Sequence, residues 1–77
     1  MPYSWAMNGS DFIAKVKRIG KERGIPVHFD KRHGKGSQGT LYYGDRKTTV
    51  KDRKKEIGMG LLIEMAKQLG LTKQDLE

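Results

Sequence analysis

The chain has no cysteine, and this absence excludes two ways in which small proteins are held together. Without thiols there is neither a disulfide framework nor a thiolate metal site to reinforce a small core. A protein with no disulfides is suited to a reducing compartment. We therefore expect a cytoplasmic location.

Long apolar runs are missing as well. No uninterrupted apolar stretch is longer than three residues, as in Leu61–Ile63, whereas a membrane-spanning helix needs about 20. The first residues also lack the order of positive charge followed by an apolar run that a signal peptide has. The sequence thus predicts neither a membrane span nor a secretory leader.

Acidic residues are few for a chain with this much positive charge. Nine Asp and Glu stand against 16 Lys and Arg, which gives a net charge of +7 over 77 residues. Such an excess raises the local concentration of polyanions and speeds encounter with them. Nucleic acid is the first expected partner and an acidic protein the second, and charge alone does not choose between them.

The first secondary-structure pattern along the sequence is that of a helix. Asn8 is a good N-cap, with Asp11 in the capping-box position, and apolar residues then recur at helical spacing. We predict a first helix from about Gly9 to Arg23, ended by Gly24. Residues 1–7 show no clear periodicity and are interpreted as a loosely held N-terminal extension.

Two strand-like segments flank a polar loop. Residues 25–29 alternate apolar and polar side chains, which predicts a half-buried strand, and Pro26 near its start favours an edge position. Residues 31–39 have no apolar side chain and are predicted to be a loop outside the core. Residues 41–50, with Gly44-Asp45 as the turn, predict a β-hairpin.

The last third of the chain predicts a second helix. Gly58 precedes a stretch with apolar residues at helical spacing, and Gly70 ends it. A further short turn is expected at residues 72–75. The side chains expected to line the core face of this helix are Leu61, Leu62, Met65 and Leu69. The fold class is therefore α+β, in the order α-β-β-β-α, with a three-stranded antiparallel sheet and both helices on one face.

Taken together, these segments resemble one known family. The first predicted strand and the stretches Gly34–Ser37, Leu41–Gly44, Thr48–Val50 and Lys54–Leu71 look like HicA, the toxin half of HicAB toxin–antitoxin modules. The resemblance covers residues 8–71 and leaves residues 72–77 as a C-terminal tail. It implies a fold similar to a double-stranded RNA-binding domain and endoribonuclease action on mRNA that inhibits translation. It also implies neutralisation by an acidic HicB-type antitoxin, with no required metal or cofactor.

The chain departs from the family at one position. Members read Gly-Ser-His at the end of the loop, whereas this chain reads Gly36-Ser37-Gln38. A histidine can take the proton of an attacking 2′-OH or protonate the leaving oxygen, and glutamine can do neither. Gln38 thus marks the expected catalytic position of an impaired enzyme. Two explanations stay open, deliberate inactivation and natural divergence.

RNA contacts are expected from the glycine-rich loop and from the basic cluster after the hairpin. The residues in this role are Lys31, Arg32, Lys35, Gly36, Ser37, Arg53 and Lys54. Glycine backbone and consecutive N–H groups let such a loop approach a phosphate closely. Without the resemblance, a flexible loop explains the first segment equally well, and a solvated charged surface is the more usual explanation of the second.

Three further side chains are weaker candidates. His28 lies on the polar face of the first predicted strand and His33 in the basic loop, and either one stands as an alternative source of proton transfer or phosphate contact. Tyr42 is placed either to stack on a base or to pack against a neighbouring strand. Two rival functions stay open, a non-catalytic RNA-binding module and a basic protein-interaction domain.

Overall fold

The computed structural model describes residues 7–31 and 38–76. Within these ranges the elements are, in chain order, β1 (Met7–Asn8), α1 (Gly9–Arg23), β2 (Val27–Lys31), β3 (Gly39–Tyr43), β4 (Arg46–Val50), β5 (Glu56–Ile57), α2 (Met59–Gln68) and α3 (Lys73–Leu76). No helix in this part of the chain is long and apolar enough to cross a membrane.

Helix α1 has the limits that the sequence predicts. The Asn8 side chain accepts a hydrogen bond from the Asp11 N–H at 2.8 Å, and the Asp11 carboxylate accepts one from the Asn8 N–H at 3.2 Å. This reciprocal pair is a capping box, which satisfies two N–H groups at the helix start. Gly24 ends the helix with φ of 70°, a left-handed conformation that favours glycine.

The central sheet is antiparallel, in the order β2-β3-β4. Phe29 pairs with Leu41, and Leu41 pairs with Thr48, so alternate residues of the three strands share a face. On the inner face Leu41, Tyr43 and Val50 are buried in one cluster with apolar residues of both main helices. The predicted α+β class, with both helices on one face of the sheet, is confirmed.

The loop between β2 and β3 is shorter than predicted. Lys31 and Gly39, taken as its ends, pair with each other as the last row of the sheet. Gly39 is buried and closely packed. A Cβ at this position would lie 2.7 Å from the Asp30 carbonyl oxygen and would clash with the Phe29 ring. Gly39 was predicted to be part of a loop, but its lack of a side chain instead permits close packing inside the sheet. At its other end β2 begins at Val27, two residues later than predicted.

The core differs from the prediction at α2. Leu61 was expected in the core and is 51% exposed, whereas Leu62, Met65 and Leu69 are buried as predicted. Residues at positions i, i+3, i+4 and i+7 form the buried stripe, and Leu61 lies one residue ahead of it.

Two short elements complete the core. Strand β1 pairs antiparallel with β5, with Met7 opposite Ile57, so residue 7 is attached to the domain although the sequence placed it in a loose extension. Helix α3 forms where a short turn was expected, and its Leu76 is only 3% exposed. Leu76, in the segment predicted as a tail, therefore contributes to the core.

Candidate nucleic-acid interface

The end of the sheet nearest Gln38 carries positive charge. Lys31, Gly39 and Val50 form the last row of paired residues across β2, β3 and β4. Gln38 precedes Gly39 and Lys51 follows Val50, so these two residues lie just beyond that row. Lys31, Gln38 and Lys51 are all exposed. We call this row and the two residues beyond it the Gln38 end of the sheet.

Arg53 is positioned close to this end by an aromatic ring. Its guanidinium carbon lies 5.5 Å from the centroid of the Phe29 ring, a distance typical of a cation–π contact. The same ring lies against Gly39, so close that it would clash with a Cβ on that residue. Phe29 therefore connects Arg53 to the residue that follows Gln38.

The backbone around Arg53 is also anchored. The Ser10 N–H in the first turn of α1 donates a hydrogen bond to the Arg53 carbonyl oxygen at 2.9 Å. The Lys54 N–H donates to an Asp52 carboxylate oxygen at 2.9 Å, which fixes the turn before the exposed Lys54 side chain. The backbone of the cluster after β4 is thus attached to the start of α1.

A shallow cleft opens between α1 and this cluster. Its volume is about 240 Å³, and it is lined by Ser10, Ile13, Ala14, Lys17, Phe29 and Arg53. A hydroxyl, an ammonium and a guanidinium around one opening are suitable donors for a phosphate group. Phe29, in the wall of this cleft, also lies close to Gly39, the residue that follows Gln38.

The structure separates the predicted site residues into two groups. Lys31 and Gln38 lie together at the Gln38 end of the sheet, with Arg53 near them through Phe29 and Lys54 next to Arg53 along the chain. The remaining predicted contacts, Arg32, Lys35, Gly36 and Ser37, lie outside the described residues, as does His33.

His28 is not close to Gln38. It lies on the outer, exposed face of the sheet, where it pairs with Tyr42 three rows away from the Lys31 row, about 10 Å along the strand. Tyr42 packs against a neighbouring strand, since its ring is stacked on that of His28.

Sequence reasoning missed Ser10, Lys17 and Lys51. Lys51 directly follows the predicted hairpin, and the register of β3 with β4 places it near Gln38. Lys17 lies in the predicted first helix, and no pattern in the sequence shows that its side chain borders Arg53. Ser10 gave no signal apart from its place in a helix's first turn.

No metal site accompanies these residues in the part of the chain that the structure describes. No group of three or more His, Asp or Glu side chains lies close enough there to hold an ion. Comparison with known proteins adds no identification. No family model matches the chain, and neither a curated protein nor a solved structure matches it.

Proposed function

We propose that this chain is an RNA-binding domain of the HicA toxin type, descended from an endoribonuclease that cleaves mRNA and impaired by Gln38. The observation that carries the proposal is the location of Gln38, exposed at the end of the sheet between Lys31 and Lys51. Arg53, held over Phe29, adds a positioned cation near this end. These features suit a phosphodiester better than a neutral ligand.

The proposed reaction is attack of a ribose 2′-OH on the adjacent phosphorus. A P–O bond to the 2′-oxygen forms while the bond to the 5′-oxygen breaks, which leaves a cyclic phosphate and a 5′-hydroxyl. Lys31 and Arg53 stabilise the charge that develops on the phosphate oxygens. A histidine at position 38 would move the proton, whereas the glutamine amide only donates and accepts hydrogen bonds.

The test is cleavage of a labelled mRNA by the present chain and by Gln38→His. General acid–base catalysis contributes roughly 10²–10⁴-fold, so we expect a gain of that order from the histidine. The reaction should proceed in chelator, because the proposed scheme uses no metal. Gln74→His is the matched control, since Gln74 is an exposed glutamine on α3. If Gln38→His is as inactive as Gln74→His, the proposed catalytic position is wrong.

A non-catalytic RNA-binding module is the second candidate, and Gln38 itself favours it for the chain as it stands. Such a module retains the phosphate contacts and needs no proton transfer. Equal inactivity of both histidine variants, with RNA binding retained, would select this function.

An acidic antitoxin of the HicB type, acting in the cytoplasm, belongs to the same proposal. The net charge of +7 supports an acidic partner, and the cationic end of the sheet is where such a partner would compete with RNA. Competition is therefore expected: an acidic partner that covers Lys31 and Arg53 should release bound RNA.

A further inference from the structure

The outer face of the sheet, opposite the two main helices, is open. Alternation along β2, β3 and β4 places six residues on it, namely His28, Asp30, Thr40, Tyr42, Lys47 and Thr49. Five are exposed and Thr40 is half-buried. We call this surface the outer face. It is a second surface of the molecule, distinct from the cleft between α1 and Arg53.

The central row of the outer face carries two aromatic rings. His28 and Tyr42 are directly opposite each other across β2 and β3, with ring centroids 6.3 Å apart and ring planes inclined by only 20°. Tyr42 is 36% exposed, whereas Phe12 and Tyr43 are buried among the core residues. A cross-strand ring pair stabilises a sheet, but this pair also leaves aromatic surface in contact with water. Nearly parallel rings suit stacking on a further planar group.

A cation extends the same row. Lys47 pairs with Tyr42 on the other side, so the row reads imidazole, phenol, ammonium across the three strands. Asp30, one row of this face closer to Gln38, puts a negative charge on β2. The outer face is thus positive along β4 and negative along β2. A phosphate backbone would follow β4, with its bases directed over the rings of β2 and β3.

We propose that the outer face binds unpaired RNA, with bases stacked on His28 and Tyr42 and a phosphate neutralised by Lys47. Stacking on exposed aromatic side chains is open to single strands, because the bases of a duplex are already stacked inside it. Gln38 directly precedes β3 and is four residues from Tyr42, about 13 Å along an extended chain. An RNA strand held on the outer face therefore leads toward the Gln38 end of the sheet. This inference rests on the proposed RNA-binding function and adds its substrate class, single-stranded RNA.

Stacking and charge neutralisation respond differently to salt, and the experiment uses that difference. The affinity of the full chain for a labelled oligouridine is measured over a range of salt concentrations. Tyr42→Val, which keeps a strand-favouring side chain, should weaken binding about 5- to 150-fold with the salt slope unchanged, because stacking is worth roughly 1–3 kcal/mol per base. Tyr42→Phe should bind like the original chain. Lys47→Gln should reduce the slope by about one, and Lys67→Gln, an exposed lysine of α2, should not.

Duplex RNA supplies the second arm. Affinity for a blunt-ended RNA duplex should not change in Tyr42→Val, since its bases are stacked inside the helix and do not reach the rings. His28→Thr is a second variant of the same surface, and circular dichroism at the assay temperature verifies that each variant is folded.

Two results would overturn the inference, and they can be told apart. If the original chain binds oligouridine with a steep salt slope and Tyr42→Val and His28→Thr bind equally well, the outer face is not the site, while RNA binding stands. If the original chain binds neither oligouridine nor duplex RNA, the proposed function fails together with the inference.

Discussion

At position 38 the backbone and the side chain obey different constraints. The path of the chain there is set by Gly39, which is buried against Phe29 and pairs with Lys31. The side chain of residue 38 is exposed and is not part of the core. Replacing Gln38 by histidine should therefore leave the free energy of unfolding almost unchanged, so a change in RNA cleavage reports chemistry alone.

Asp75 is the carboxylate whose titration should affect stability. The Thr72 N–H donates to it at 2.9 Å, and Arg23 forms a 2.6 Å salt bridge with it. These two contacts, the Thr72 N–H first, hold the pKa of Asp75 below its ordinary value. A lowered pKa in the folded state means stability that is present above the ordinary pKa and is lost as pH falls through the folded one.

We predict that Asp75→Asn lowers the melting temperature by a few degrees at neutral pH, because Asn keeps the shape but loses the charge. The difference from the original chain should shrink as the pH falls below about 4, the ordinary pKa of an aspartate, and disappear once the pH is below the lowered pKa of the folded state. Thermal unfolding followed by circular dichroism at several pH values measures it. Asp45→Asn, an exposed turn residue, is the control. A pH-independent difference would show that the charge does not matter.

At the scale of elements, α1 and β2 approach each other through Gly20. A Cβ on Gly20 would lie 2.7 Å from the Ile25 carbonyl oxygen and would clash with the Val27 side chain. Gly60 in α2 is the opposite case, with nothing within 4 Å of the place where its Cβ would be. Gly20 is thus required by packing, whereas at Gly60 only the conformational preference of glycine distinguishes it from alanine.

Gly20→Ala should destabilise the fold by roughly 1–3 kcal/mol, since an overpacked contact forces a backbone shift. Gly60→Ala should stabilise it by about 0.4–1 kcal/mol through the reduced entropy of the unfolded chain. Urea unfolding of both variants provides the comparison. Equal effects of the same sign would contradict the close approach of α1 to β2.

Elements were predictable from the sequence where periodicity is long. Helix α1 has fifteen residues and a capping box, and its limits were predicted correctly. Strands β1 and β5 have two residues each, too few to show any period, so the pairing of Met7 with Ile57 could not be predicted. The proximity of Arg53 to Phe29 depends on this tertiary arrangement, and no local pattern carries it.

At the scale of the whole molecule, the fold is a thin slab. Its principal extents are 40 × 28 × 17 Å, and the shortest one fits a single layer of helices on a single sheet. A domain of this size buries only about 60% of the surface that the unfolded chain exposes. Each core side chain therefore contributes a large share of the net stability.

Substitution of Leu76, near the C-terminal end of the described residues, tests how much one core side chain contributes to stability. It is 3% exposed, and the helix that carries it contacts both α1 and α2. Leu76→Ala should cost roughly 2–5 kcal/mol, a large part of a total that is about 5–15 kcal/mol for natural domains. Urea unfolding measures the loss, with the exposed Gln74→Ala as the control. A loss below about 1 kcal/mol would mean that α3 is dispensable.

The sheet has an open edge on each side, because β2 and β4 each pair only with β3 within the described residues. Open edges are templates for strand addition, and charged side chains keep copies apart. Here Arg46 and Lys47 protect the edge at β4. A polyanion that neutralises these cations also removes the repulsion between copies. Solutions of the chain should therefore turn cloudy near charge balance with RNA and clear again when salt or excess RNA is added.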